Sequence, residues 1–87
     1  MNAPTAAPLA GEVDVSTDRL DLIFRTHYAR INRVIGRVIQ DEARAEELAV
    51  DVFLKWWRTS SAHGDGAEGW LVRTAARQAL DELRRRT

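Results

Sequence analysis

The chain has 87 residues, no cysteine and two histidines, and its 13 basic and 13 acidic side chains cancel to a formal net charge of zero. That length allows one small domain near the lower limit for a core without staples, and the missing thiols exclude disulfides and thiolate metal sites. His27 and His63 stand far apart with no nearby ligand partner, so neither a metal nor a cofactor is expected. No apolar run approaches the roughly 20 residues of a membrane span, and the N-terminus has neither the basic start nor the hydrophobic stretch of a signal peptide. A soluble cytoplasmic protein without membrane contact is the expectation.

The zero total conceals a polarised distribution. From Asp41 to Asp51 five acids stand against Arg44, and from Trp70 to Thr87 five arginines stand against Asp81 and Glu82. Every basic residue except Lys55 is an arginine, and guanidinium forks suit phosphate and carboxylate partners better than ammonium groups do. The asymmetry allows one basic partner and one acidic one.

Residues 1–16 are Ala/Pro-rich, with Pro4, Pro8, Gly11 and no hydrophobic period, and read as a disordered leader. Thr17 or Asp18 is placed to cap a first helix, because a side-chain oxygen there can accept otherwise unpaired amide hydrogens. That helix runs to about Ile39, with Leu20, Ile23, Phe24, Tyr28 (or His27), Ile31, Val34, Ile35 and Val38 tracing its core stripe. Arg30, Arg33 and Arg37 fall outside as a solvated face, and His27 reads as a core-edge histidine. Gly36 costs helix propensity and is expected where a neighbouring helix approaches closely.

Asp41 is a natural cap for a second helix, continuing to about Arg58, whose first acids complement the helix dipole. Its central stretch AEELAVDVFLKWW is the strongest pattern in the chain. Ala45, Leu48, Ala49, Val52, Phe53 and Trp56 recur at three- and four-residue steps and form a core-facing stripe. Val50, Leu54 and Trp57 make a second apolar strip among Glu46, Glu47, Asp51, Lys55 and Arg58. Two arrangements account for it: a docking surface for another protein, or a helix sandwiched between neighbours in its own domain. Periodicity alone leans toward the sandwich.

Thr59, Ser60 and Ser61 end that helix and lead into a turn-rich loop, Ala62 to Gly66. A third helix begins near Ala67, with Asp65 as its expected cap, and runs to the end of the sequence, a pattern expected of a chain that continues. Trp70, Leu71, Thr74, Ala75, Gln78 and Leu83 mark its inner side, and Arg73, Arg77 and Arg84 to Arg86 lie outside or at its end. Three helices, with room for a short extra one, and no strand pattern give a compact all-α domain.

Chemistry leaves few options. An enzyme needs a nucleophile–base pair, a carboxylate dyad, a metal cluster or a phosphate loop, and none is visible. Glu46 and Glu47 are adjacent and point to different sides of a helix, and Gly64-x-Gly66 lacks the downstream Gly, Lys and Ser/Thr of a phosphate-binding loop. Nucleic-acid binding fares better. The third helix sets arginines beside an indole (Trp70) and an amide (Gln78), groups that neutralise phosphates and engage unstacked bases. Trp70 as plain core is the competing reading.

In that order, AEELAVDVFLKWWR, a loop, and GWLVRTAARQALDELRRR resemble the second conserved region of bacterial RNA polymerase sigma factors. The nearest branch is the extracytoplasmic-function (ECF) group, whose members read A-E-D-L-V-Q-E-x-F-L followed by W-L-x-R-I-A-R-N-x-x-x-D-x-x-R-R. The preceding IFRTHYARINRVIGRVI is similar to that family's first helix, so the resemblance covers about Leu20 to Arg86. It implies a subunit that binds core RNA polymerase and opens promoter DNA. By resemblance, Glu47, Val50, Asp51, Leu54 and Trp57 would meet the clamp helices of the largest polymerase subunit. The Ser60–Glu68 loop with His63, and Trp70, Arg73, Arg77 and Gln78, would hold the minus-ten element. Arg84, Arg85 and Arg86 would hold backbone phosphate. An anti-sigma factor is a further partner the resemblance implies, whereas no counterpart of the family's minus-thirty-five-reading domain lies within these residues. Val50 stands where the family usually has Gln, and Gln78 where Asn is common. The loop has no Phe or Tyr, so stacking on a captured base would fall to His63 or Trp70. The alternative is a helical protein–protein interaction module, an adaptor or regulatory fragment, without a DNA role.

Overall fold

Three helices, α1 (Ala3–Ile39), α2 (Glu42–Arg58) and α3 (Ala67–Arg86), are joined by short connections, with one 3-10 turn at Ser60–Ala62. The computed structural model describes the backbone over 3–86 and side chains over 17–86, and no strand occurs among the described residues. The expectation of a leader over 1–16 lies outside the residues whose side chains are described. The helix is drawn from Ala3, so Thr17 and Asp18 sit within α1 and neither caps its start.

α2 matches its sequence pattern position by position. Asp41, in extended conformation, accepts the Arg44 amide hydrogen at 3.1 Å and satisfies one donor of the first turn. At the other end Thr59 donates its hydroxyl to the Lys55 carbonyl at 2.7 Å and its amide to the Trp56 carbonyl at 3.1 Å. Ala45, Leu48, Ala49, Val52, Phe53 and Trp56 are all exposed by 4% or less. Each large side chain among them contributes about 1.5–3 kcal/mol of transfer free energy.

α1 supplies the opposing wall. Ile31 and Ile35 are fully buried and Ile39 nearly so, while Leu20, Ile23, Phe24, Tyr28, Val34 and Val38 pack half-buried against the same core. Phe24 stacks on Tyr28 with centroids 4.8 Å apart and meets the Phe53 ring at 4.9 Å, which locks α1 to α2. Burial, and then the nearby Glu46 carboxylate, raise the Tyr28 phenol. The helix stops at Gln40, whose φ of 51° is left-handed and whose amide closes on the Gly36 carbonyl at 2.9 Å. Gly36 itself has open space where a Cβ would stand, so no neighbouring helix crosses there and the expected close approach is corrected.

α3 packs across both. The ion pair Arg30–Glu68 at 3.1 Å near its start and Arg86–Asp41 at 3.3 Å near its end show that it runs in the direction of α1 and against α2. Leu71, Thr74, Ala75 and Ala79 form its buried side, with Trp70 and Gln78 half-buried at the edge. Leu83, expected on the inner side, is 38% exposed. The inward position one residue earlier is taken by Glu82, drawn toward Arg44 of α2, so Leu83 is turned away from the core. The residue before α3 is Gly66 at φ 86°, a left-handed value glycine adopts without strain, so Asp65 lies one position too early to be the cap.

Candidate functional site

Two surfaces arise on this frame, one on α2 and one on the loop and α3. On α2 the six buried residues use up one face, and helical spacing then forces Val50, Leu54 and Trp57 onto another. Val50 is 41% and Trp57 36% exposed, with Leu54 half-buried between them. Glu46, Glu47, Asp51, Lys55 and Arg58 are exposed around them. Among the described residues no second helix packs over the strip, where Val50 and Trp57 stay exposed, which departs from the sandwiched arrangement that periodicity favours. The structure brings Glu47, Val50, Asp51, Leu54 and Trp57 together as one apolar-and-acidic face.

Beside that face an open groove of about 290 Å³ runs between α1 and α2, lined by Leu20, Phe24 and Asp21 on one side and Val50, Phe53 and Leu54 on the other. Leu20 and Phe24 read from sequence as plain core. Half of each is a wall of this groove, and no sequence signal separates the two roles because both demand an apolar side chain at the same register.

The second surface is the loop and α3. Here the loop's first half is bolted down. Trp56 donates its indole N–H to the Ala62 carbonyl at 3.0 Å, and the His63 ring lies 4.3 Å from the Trp56 ring. His63 Nε2 is 2.8 Å from the Trp56 carbonyl oxygen, and since a carbonyl only accepts, Nε2 carries the proton and donates. From α1, Arg19 donates to the His63 carbonyl at 2.7 Å. Gly64, Asp65 and Gly66 remain exposed.

Along α3, Arg73 and Arg77 are exposed one turn apart, and Trp70 lies two turns before Arg77 on the same side of the helix. The Arg73 guanidinium folds over Gly69, where an added Cβ would come within 3.1 Å of its Nη1. Gln78 is half-buried and its side-chain oxygen is enclosed without a hydrogen-bond partner, as is that of Asn32 on α1. The three terminal arginines part company. Arg84 bonds Asp81 at 3.2 Å, Arg85 is exposed, and Arg86 bonds both Asp41 and Glu82 at 3.3 Å. The structure therefore gathers Trp70, Arg73 and Arg77, and sets His63 and Arg86 in internal contacts.

Sequence reasoning missed a third feature, the ion-pair junction of α2 and α3. Arg44 forks onto Glu82 with contacts of 2.9 and 3.0 Å and reaches Glu47 at 2.8 Å. Hydrogen bonds to Glu82 and then Glu47 raise the guanidinium further above neutrality. The Arg44 side chain lowers the Glu82 carboxyl, and the Arg44 amide lowers that of Asp41. Among the described residues no group of three or more His, Asp or Glu side chains is arranged to hold a metal ion, and no helix is long and apolar enough to cross a membrane.

The sigma-70 region 2 family matches residues 23–87. The chain is similar to the ECF RNA polymerase sigma factor SigK of Mycolicibacterium vanbaalenii, with 36% identity over 59 residues, covering 64% of this chain and 30% of that protein. No solved structure matches.

Proposed function

Because the chain belongs to the sigma-70 region 2 family, we propose that it is the part of an ECF-type sigma factor that docks on core RNA polymerase and captures the minus-ten promoter element. The observation that carries this reading is the exposed Val50–Leu54–Trp57 strip of α2. Val50 and Leu54 lie outside the core cluster, and leaving apolar side chains in water is unfavourable unless a partner covers them.

The docking chemistry follows from its rim. Glu47 and Asp51 flank the strip and steer a partner helix that carries cations beside apolar side chains, which is the role given to the clamp helices of the polymerase largest subunit. Shape comes from the apolar strip and the groove next to it. On α3, Arg73 and Arg77, with Arg85 farther along, neutralise phosphate. Trp70 faces the bases, and His63 holds the loop against Trp56. Strand opening then needs no hydrolysis by this subunit, because extruded bases held on the protein surface shift the duplex equilibrium toward the open form.

A second reading, a helical interaction module without DNA binding, draws on the internal contacts of His63 and the enclosed Gln78 oxygen. Titration of single-stranded minus-ten DNA into the chain bound to core polymerase, repeated across salt concentrations, separates the two. The sigma-type reading predicts affinity that falls with a log–log slope of roughly −0.7 per phosphate contact. Binding that ignores salt, or no binding by a polymerase-bound chain, supports the module.

A further inference from the structure

The last two turns of α3 lack what holds the rest of the domain. No buried apolar residue lies beyond Ala79, and Leu80 and Leu83 are 44% and 38% exposed. Burial therefore does not fix where these turns sit relative to α2. Charge does, through a closed circuit. The Asp41 carboxylate caps α2 with one oxygen and takes Arg86 with the other, at 3.1 and 3.3 Å. Arg86 also holds Glu82 one turn back, and Glu82, with a side chain only 12% exposed, is gripped by the Arg44 fork. A forked guanidinium–carboxylate pair fixes orientation as well as distance.

We propose that Arg44 and Arg86 are positioning residues: by gripping Glu82 and Asp41 they set the end of α3 against the start of α2, so that Arg85, and not Arg86, meets the DNA backbone. The circuit joins the two surfaces directly, since Arg44 also holds Glu47 on the docking face. Arg86, assigned to phosphate by resemblance, has its guanidinium turned to two carboxylates of the protein itself. This inference rests on the sigma-type reading above.

The test compares variants of the whole chain, each first checked for a cooperative melt, for affinity to core polymerase and for promoter binding across salt concentrations. Removing a phosphate contact lowers the magnitude of the salt slope by about one, whereas removing a positioning residue does not change it. Arg85→Ala is expected to lower the slope in that way. Arg86→Ala is expected to keep the wild-type slope while promoter binding weakens about fivefold, with Arg86→Lys recovering most of the loss. Glu82→Gln, which leaves Arg44 on Glu47, is expected to weaken promoter binding about tenfold at unchanged polymerase affinity. A slope drop in Arg86→Ala equal to that of Arg85→Ala, or a Glu82→Gln chain that binds promoter like wild type, overturns the proposal. If the wild-type complex itself shows no salt-dependent promoter binding, the sigma-type reading falls and takes the proposal with it, an outcome distinct from a failure confined to the variants.

Discussion

α2 and α3 are both amphipathic helices, of 17 and 20 residues, and they are held by different forces. α2 drives a continuous stripe of six side chains, Trp56 and Phe53 among them, into the core from its first turn to its last. It can therefore show a second apolar strip to a partner without risk to its own position. α3 buries Leu71 and three small residues, Thr74, Ala75 and Ala79, and its last turns are tied by Glu82 and Arg86. Hydrophobic packing carries no charge for salt to screen or pH to titrate, whereas ion pairs are subject to both. α2 is thus the rigid half of the domain and the end of α3 the adjustable half.

The largest expected effect breaks the rigid half. Trp56→Ala should cost about 3–5 kcal/mol in urea unfolding, much of the stability of so small a domain, because it opens a core cavity and removes both the Ala62 hydrogen bond and the His63 platform. Leu80→Ala, a truncation on the exposed part of α3, should stay within about 0.5 kcal/mol. Comparable losses would contradict the division between the helices.

Acidification reaches the adjustable half. Asp41 and Glu82 are held below the ordinary carboxylate range, so their contribution is complete above the unfolded value near 4 and is lost as pH falls through the lower folded values. Melting temperature should fall between about pH 5 and pH 2, and Glu82→Gln should show a shallower fall over the same range. An equal fall in both proteins would mean that the circuit contributes nothing. A small effect of opposite sign lies on α1. Gly36→Ala meets no neighbouring atom and should stabilise by about 0.5–1 kcal/mol, since alanine restricts the unfolded chain and favours the helix. A loss would mean that something packs against that turn.

How much of this was legible in the sequence follows the same division. The α2 stripe, its Asp41 cap and its end at Thr59 were readable because apolar burial and capping leave periodic, local signals. Whether Val50, Leu54 and Trp57 face solvent was not readable, since period alone does not tell how many neighbours a helix has. Leu83 misled because the pattern gives a residue's angle on the helix and not whether a partner helix still lies alongside. The Arg44–Glu82 fork spans 38 positions, and no local rule pairs one arginine with one glutamate at that distance. Of the candidate site, the shared face of Glu47, Val50, Asp51, Leu54 and Trp57 follows from helical spacing alone. How far His63, Gln78 and Arg86 turn inward was decided by packing, which no local pattern records.

The most direct test of the central claim is a pull-down of this chain with the isolated clamp helices of the polymerase largest subunit, wild type beside Asp51→Arg. Asp51 is exposed, so both proteins should give the same melt. The account predicts that wild type is retained and that the charge reversal lowers retention at least about tenfold. A folded wild-type chain that is not retained, or an Asp51→Arg chain retained equally, contradicts it.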